Sequence, residues 1–256
     1  MGSARSLVLV PGACLGGWAW ATVAAELRAG GHDVYTVTLT GLGERKHLAR
    51  RDVDLATHVD DVVNLLDFEQ LEDAVLVGHS YAGAVITAVA DRRSQRLDTV
   101  VYLDCGPLPD GVAIAEVQTP AQREQQAQAV DERGDGWLWP VPDRETLTTG
   151  TYGSAAGLEE EHLQRIERWA TPQPYATMTS AVRLENHAPP GVKRAAIFCT
   201  AGGVDAARVR TLIAAGDPRA GAFDAGWDLY DLPTGHWPMF SLPVPLAELL
   251  HRIGSR

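Results

Sequence analysis

No stretch of this 256-residue chain is apolar for long enough to cross a bilayer. The run nearest the start, Leu7-Val8-Leu9-Val10, is stopped by Pro11-Gly12 and is too short for the hydrophobic region of a signal peptide. Positive charge is scarce as well. Lys and Arg number 22 against 33 Asp and Glu, a net charge of −11. That balance disfavours a nucleic-acid partner, whose phosphates need clustered cations, and an acidic membrane surface. Cysteine is nearly absent: Cys14, Cys105 and Cys199 are odd in number, lack metal-ligand spacing, and read as buried free thiols. There is no internal repeat, no low-complexity linker and no G-x-G-x-x-G dinucleotide fingerprint. The expectation is a soluble, cytoplasmic protein with no metal or organic cofactor, acting on a small molecule. The sequence leaves open whether it forms a homodimer.

Against these absences stands a regular alternation of apolar runs and amphipathic stretches. Hydrophobic residues make up 45% of the chain and charged ones 21%, enough for one large α/β domain with an insertion. Leu7 to Val10, Asp33 to Leu39, Ala74 to Val77 and Thr99 to Leu103 read as strands. Trp18 to Ala29 and Leu55 to Phe68 read as helices, the second with Leu55, Val59, Val62, Val63 and Leu66 on one face. From Pro107 to about Pro190 the pattern becomes irregular and rich in glutamine, with helical spacing only at Leu158 to Trp169. Alternation resumes with a strand at Ala195 to Cys199, a helix at Ala206 to Ala214, a strand at Trp227 to Leu232 and a helix at Val244 to Ile253. Such alternation implies a parallel sheet covered on both faces.

One motif carries chemistry. Gly78-His79-Ser80-Tyr81-Ala82-Gly83 lies between a strand and a small-residue helical stretch. A serine at the tip of a tight strand-to-helix turn is a nucleophile elbow, and its neighbours must be small because strand and helix approach closely. The usual last residue of the motif is glycine, where this chain has Ala82. Ser80 needs a base to become a nucleophile. His236, in the loop after the last strand, is preferred over His32, His47, His58, His162, His187 and His251, while His79 should point away from the serine. An oxyanion hole needs two converging N–H groups. Tyr81 supplies one, and Ala13 in the loop after the first strand the other, with Cys14 the second choice. For the acid that orients the histidine, Asp104 and Asp205 both stand at strand ends in the order Ser…Asp…His. Asp205 also fits the N-cap of the helix that follows it.

These residues give the chain a resemblance to the α/β-hydrolase superfamily, and within it to the branch of plant methylesterases, hydroxynitrile lyases and small bacterial esterases. The matching pieces are residues 10–18, 38–45, 78–83 and 234–236. The resemblance implies an α/β-hydrolase fold: a mostly parallel six-stranded sheet with helices on both faces and an inserted cap. The core would comprise residues 1–106 and 191–256 and the cap residues 107–190. It also implies Ser80 and His236 as nucleophile and base. Departures narrow the reading. Trp237 stands where the lyases carry lysine and Gly12 where they carry threonine, which argues against cyanohydrin cleavage. Pro11 replaces a histidine usual in the first loop. Gly202-Gly203 occupies the usual position of the acid, whereas Asp104 matches the position used by some relatives such as haloalkane dehalogenases, so Asp104 is preferred. Dehalogenase chemistry itself needs an aspartate where this chain has Ser80. The expected activity is hydrolysis of a carboxylic ester or lactone. The alternatives are a specialised biosynthetic reaction on an aromatic or polyketide-like substrate (C–C cleavage, thioester hydrolysis or cyclisation) and a non-catalytic small-molecule receptor.

Overall fold

Successive residues of a strand point to opposite faces, and in Ser6–Val10 (β1) residues of both parities are buried. Leu7 and Leu9 join one core with Trp20, Val23 and Leu27; Val8 and Val10 join another with Val62, Leu66 and Ile86. A strand apolar on both sides requires helices on both sides. The computed structural model, which describes residues 4–186 and 191–255, has that arrangement. β1, Asp33–Thr36 (β2), Ala74–His79 (β3), Leu97–Leu103 (β4), Lys193–Cys199 (β7) and Trp227–Leu232 (β8) form a six-stranded sheet in the order β2-β1-β3-β4-β7-β8. Every neighbouring pair in it is parallel. A separate two-stranded ribbon pairs Leu138–Trp139 (β5) with Gln173–Pro174 (β6).

Helices Ala21–Ala29 and Pro243–Gly254 cover the Leu7 face, and helices Leu55–Phe68 and Ala82–Arg93 the Val8 face. Helix Leu55–Phe68 starts at Asp54, whose carboxylate accepts from the Thr57 N–H at 3.0 Å while the Thr57 hydroxyl faces the Asp54 N–H. Such a cap stabilises a helix by about 1 kcal/mol.

Three expectations from the sequence need correction. The second strand stops at Thr36 rather than Leu39. Thr38 is engaged elsewhere: its hydroxyl accepts from Gly17 N–H at 2.7 Å and its carbonyl from Arg45 at 2.8 Å. The first helix begins as a 3₁₀ turn, Gly17–Trp20, and becomes α-helical only at Ala21. The glutamine-rich stretch is not irregular. Pro120–Arg133 is a 14-residue helix with proline in its first turn and a Thr119–Gln122 capping box. Only Gln126, Ala129 and Val130 of that helix are buried, so it shows no apolar period.

The chain order reverses on either side of β1, and in open parallel sheets ligands bind outside the strand ends at such a switch point. Val10 lies opposite Gly78 in the register, so the loops after β1 and β3 leave the sheet side by side. His79 lies opposite Leu103, which brings the end of β4 alongside. Among the described residues, no helix is long and apolar enough to cross a membrane. Cys14 and Cys199 are buried and Cys105 partly so, all three as free thiols.

Candidate active site

Ser80 follows β3 with φ +53°, in the left-handed region that side chains other than glycine rarely adopt. Holding a residue there costs roughly 1–2 kcal/mol. Two backbone bonds keep it in place: Ser80 N–H to Leu103 O at 3.1 Å, and Gly83 N–H to Ser80 O at 2.9 Å. The turn works because residue 78 has no side chain. A Cβ on Gly78 would lie 2.8 Å from the Ile86 side chain on the helix that follows. Ala82, at the departure from the usual motif, is fully buried at the start of that helix.

His236 lies between β8 and the turn Pro238–Ser241. Its Nε2 is 2.9 Å from Ser80 Oγ, and its Nδ1 is 2.6 Å from Asp104 Oδ2. A carboxylate only accepts, so Nδ1 carries the proton and Nε2 is left to accept from the serine hydroxyl. Asp104, with φ +49°, directly follows β4; its Oδ1 accepts from Cys199 N–H at 3.0 Å and its own N–H donates to Ile197 O at 2.8 Å. Burial works against ionising Asp104, but the hydrogen bonds from His236 and Cys199 outweigh it and hold the carboxyl below its usual range. Asp205 is not at this site. Its carboxylate accepts from Arg208 N–H at 2.7 Å and caps helix Ala206–Ala214.

Of the other described histidines, all but His47 are engaged elsewhere. His32 and His251 contact each other at 2.7 Å, and His162 Nδ1 accepts from Glu159 N–H. His47 is exposed. His187 lies outside the described residues. His58 is fully buried; its Nε2 donates to Thr40 O and its Nδ1 accepts from the Tyr81 hydroxyl, both at 2.8 Å. His79 does more than the sequence suggests. It turns away from the serine hydroxyl, but its Nε2 donates to His236 O at 2.6 Å and its ring packs 4.7 Å from the His236 ring. Burial and the neighbouring His236 push its pKa down to about 3, so it is a neutral prop beneath the His236 loop. Its position next to Ser80 was the only signal for this in the sequence.

Ser80 and His236 face a cavity of about 480 Å³ that is also bordered by Ala13 and Tyr81. Among the described residues, no acceptor is recorded for the N–H of Ala13 or of Tyr81. Cys14 differs: its N–H donates to Gln173 Oε1 at 2.8 Å. The far wall comes from the chain between β4 and β7, including Leu147, Ile166 and an edge-to-face pair, Trp139 and Tyr152, with ring centroids 5.3 Å apart. That same segment grips the His236 loop. His236 N–H donates to Ser154 O at 2.7 Å and Gly235 N–H to Ala156 O at 3.0 Å. Among the described residues, no group of three His, Cys, Asp or Glu side chains is arranged to hold a metal ion.

The sequence matches the alpha/beta hydrolase family over residues 7–249. A carbendazim hydrolyzing esterase of Nocardioides sp. (strain SG-4G) is 33% identical over 258 residues, covering 97% of this chain and 99% of that protein. Salicylic acid-binding protein 2 of Nicotiana tabacum is 33% identical over a shorter span of 116 residues, 44% of this chain and 43% of that protein. Among solved structures, an extracellular alpha/beta-hydrolase from a Paenibacillus species superposes with a TM-score of 0.75 at 22% identity, over 97% of this chain and 98% of the other. The methylesterase MES16 from Arabidopsis superposes with a TM-score of 0.72 at 22% identity, over 98% and 99% of the two chains. The structural likenesses speak for the fold. The full-length match of family and relative decides membership: the chain belongs to the alpha/beta hydrolase family.

Proposed function

We propose that this protein is a serine hydrolase that cleaves a small carboxylic ester or lactone through an acyl-enzyme on Ser80. The observation that carries the reading is the hydrogen-bonded series Ser80–His236–Asp104, with contacts of 2.9 and 2.6 Å, at the floor of a mainly apolar cavity. The esterase and methylesterase relatives support ester bonds as the target.

In this reading Ser80 Oγ attacks the ester carbonyl while His236 Nε2 takes the hydroxyl proton. Asp104 stays ionised, fixes the tautomer and stabilises the imidazolium. The N–H groups of Tyr81 and Ala13 receive the oxyanion, each worth about 2.7–4 kcal/mol of transition-state stabilisation. His236 then returns the proton to the leaving alkoxide, and the alcohol departs. Water, activated by the same imidazole, hydrolyses the acyl-enzyme and restores Ser80. No step calls for a metal or an organic cofactor. Residues 107–190 act as a cap that closes the far side of the cavity and sets which acyl and alcohol groups fit. A cavity of about 480 Å³ lies in the range of small-molecule pockets.

A fluorophosphonate probe tests the proposal. It should label the native protein at Ser80, leave Ser80→Ala unlabelled, and abolish turnover of aryl and methyl esters. Folded protein that neither takes the label nor turns over any ester would overturn it.

A further inference from the structure

The loop that carries Ala13 does not hold its own shape. Cys14 has φ +63°, a conformation that needs support from its surroundings in a residue with a side chain. Both of its backbone polar groups are tied to one strip of the inserted segment. Cys14 N–H donates to Gln173 Oε1 at 2.8 Å, and Cys14 O accepts from Thr171 N–H at 2.9 Å. Gln173 is itself fully buried in the β5–β6 ribbon. Its amide has one workable orientation. The Thr177 hydroxyl already donates to Pro174 O at 2.7 Å, so toward Gln173 it can only accept, and it takes the Gln173 Nε2–H at 2.8 Å. The amide oxygen therefore faces Cys14. One buried polar network thus runs from the residue after Ala13 through Gln173 to Thr177 and Pro174, and its centre lies outside the six-stranded sheet.

We propose that Gln173 is a positioning residue for the oxyanion hole: by fixing Cys14 in the left-handed conformation it aims the Ala13 N–H at the carbonyl oxygen of the bound ester. The inference rests on the serine-hydrolase reading above, and adds that transition-state stabilisation depends on a side chain of the inserted segment that touches neither substrate nor Ser80. Without the amide oxygen, the Cys14 N–H is buried with no acceptor, and the loop relaxes toward one it can reach. Ala13 N–H turns with it. The loss falls on the transition state, because the ground-state carbonyl asks little of the hole.

Gln173→Met removes the acceptor at similar volume. Thr177→Val removes only the hydroxyl that orients the amide, and serves if Gln173→Met does not fold. Gln173→Glu keeps an acceptor facing Cys14. The measurements are steady-state kinetics on an aryl ester, the Kd of an alkylboronic acid, whose tetrahedral adduct on Ser80 mimics the oxyanion, the Kd of the carboxylate product, and Tm. Expected for Gln173→Met and Thr177→Val is a fall in kcat of about 10- to 100-fold, short of losing a donor outright. KM should change little, boronate should bind more weakly by the same factor, and product affinity should be unaltered. Gln173→Glu should recover most of kcat. A lower Tm with kcat and the boronate-to-product affinity ratio intact would overturn the proposal and leave Gln173 a packing residue. Failure of the underlying reading looks different, since wild-type protein would then show no turnover and no fluorophosphonate label at Ser80.

Discussion

Three residues around the cavity other than glycine, Cys14, Ser80 and Asp104, have positive φ. Each is held by hydrogen bonds from a different part of the chain, so the surroundings determine these local conformations. Asp104 shows what this means for substitution. Asparagine tolerates the left-handed region, so Asp104→Asn should fold, yet it lacks the charge that stabilises an imidazolium and favours the wrong tautomer. A loss of about 10⁴ in kcat is expected, read against an unchanged Tm. Asp205→Ala should leave kcat alone and cost about 1 kcal/mol in urea unfolding, the usual cost of a lost N-cap. The sequence could name both aspartates and the helix that Asp205 caps. It could not rank them by contact, because choosing between them depends on how far the loop after β8 reaches back toward β4. Gly153 makes a second case. With φ +121°, it places its Cα so close to His236 that a Cβ would lie 2.5 Å from Cγ of the ring. Gly153→Ala should displace the imidazole and lower kcat at least about 10-fold, consistent with the sensitivity of catalysis to small misplacements, while slow fluorophosphonate labelling persists. Wild-type kcat in that variant would show that the loop yields instead.

Elements buried against the sheet announce themselves by pattern. Leu55–Phe68, Ala206–Ala214 and Trp227–Leu232 fall where the apolar spacing sets them. The fold class was therefore legible from the chain alone, as was the strand-to-helix turn around Ser80. Helix Pro120–Arg133 was not, because it rests on few buried side chains and owes its start to capping instead. Thr119 accepts from Gln122 N–H at 3.2 Å and Gln122 answers toward Thr119 N–H at 2.9 Å. Thr119→Ala should weaken that helix by about 1 kcal/mol. Amide exchange at residues 120–133 should then quicken several-fold, while amides of β3 stay protected. The polar contacts made by the chain between β4 and β7 were illegible for a related reason. Gln173 and Ser154 sit in stretches with no period, and their partners, Cys14 and His236, lie 159 and 82 positions away along the chain.

Across the whole molecule, buried histidines couple stability to acid. His58 and His79 are neutral in the fold, since burial lowers both, His79 to about 3. The unfolded chain takes up protons at these residues near pH 6.5. Below that pH the unfolded state binds more protons than the folded one, and stability falls as pH falls. Each such histidine contributes a slope of up to about 1.4 kcal/mol per pH unit, which for His79 continues toward pH 3. Asp104 acts in the same direction lower down. Its depressed carboxyl adds stability above the unfolded carboxylate pKa, and this is lost as pH drops through the folded value. Urea midpoints should thus be level from pH 8 to 7 and drop steeply between pH 6 and 4, with His58→Gln giving a shallower drop. Level midpoints down to pH 5 would contradict this account.

The grip of Ser154 and Ala156 on the backbone at His236 and Gly235 bears on how such a protein can acquire new substrates. Recombination that trades the whole region between β4 and β7 for a homologue's would replace the footing of His236 along with the far wall of the cavity. Productive chimaeras should therefore place their crossovers inside that region, exchanging residues such as 114–149 while retaining 150–157 and 171–177 from the parent. Divergence in nature would be channelled the same way, with variable walls outside the two stretches that hold the His236 and Cys14 loops.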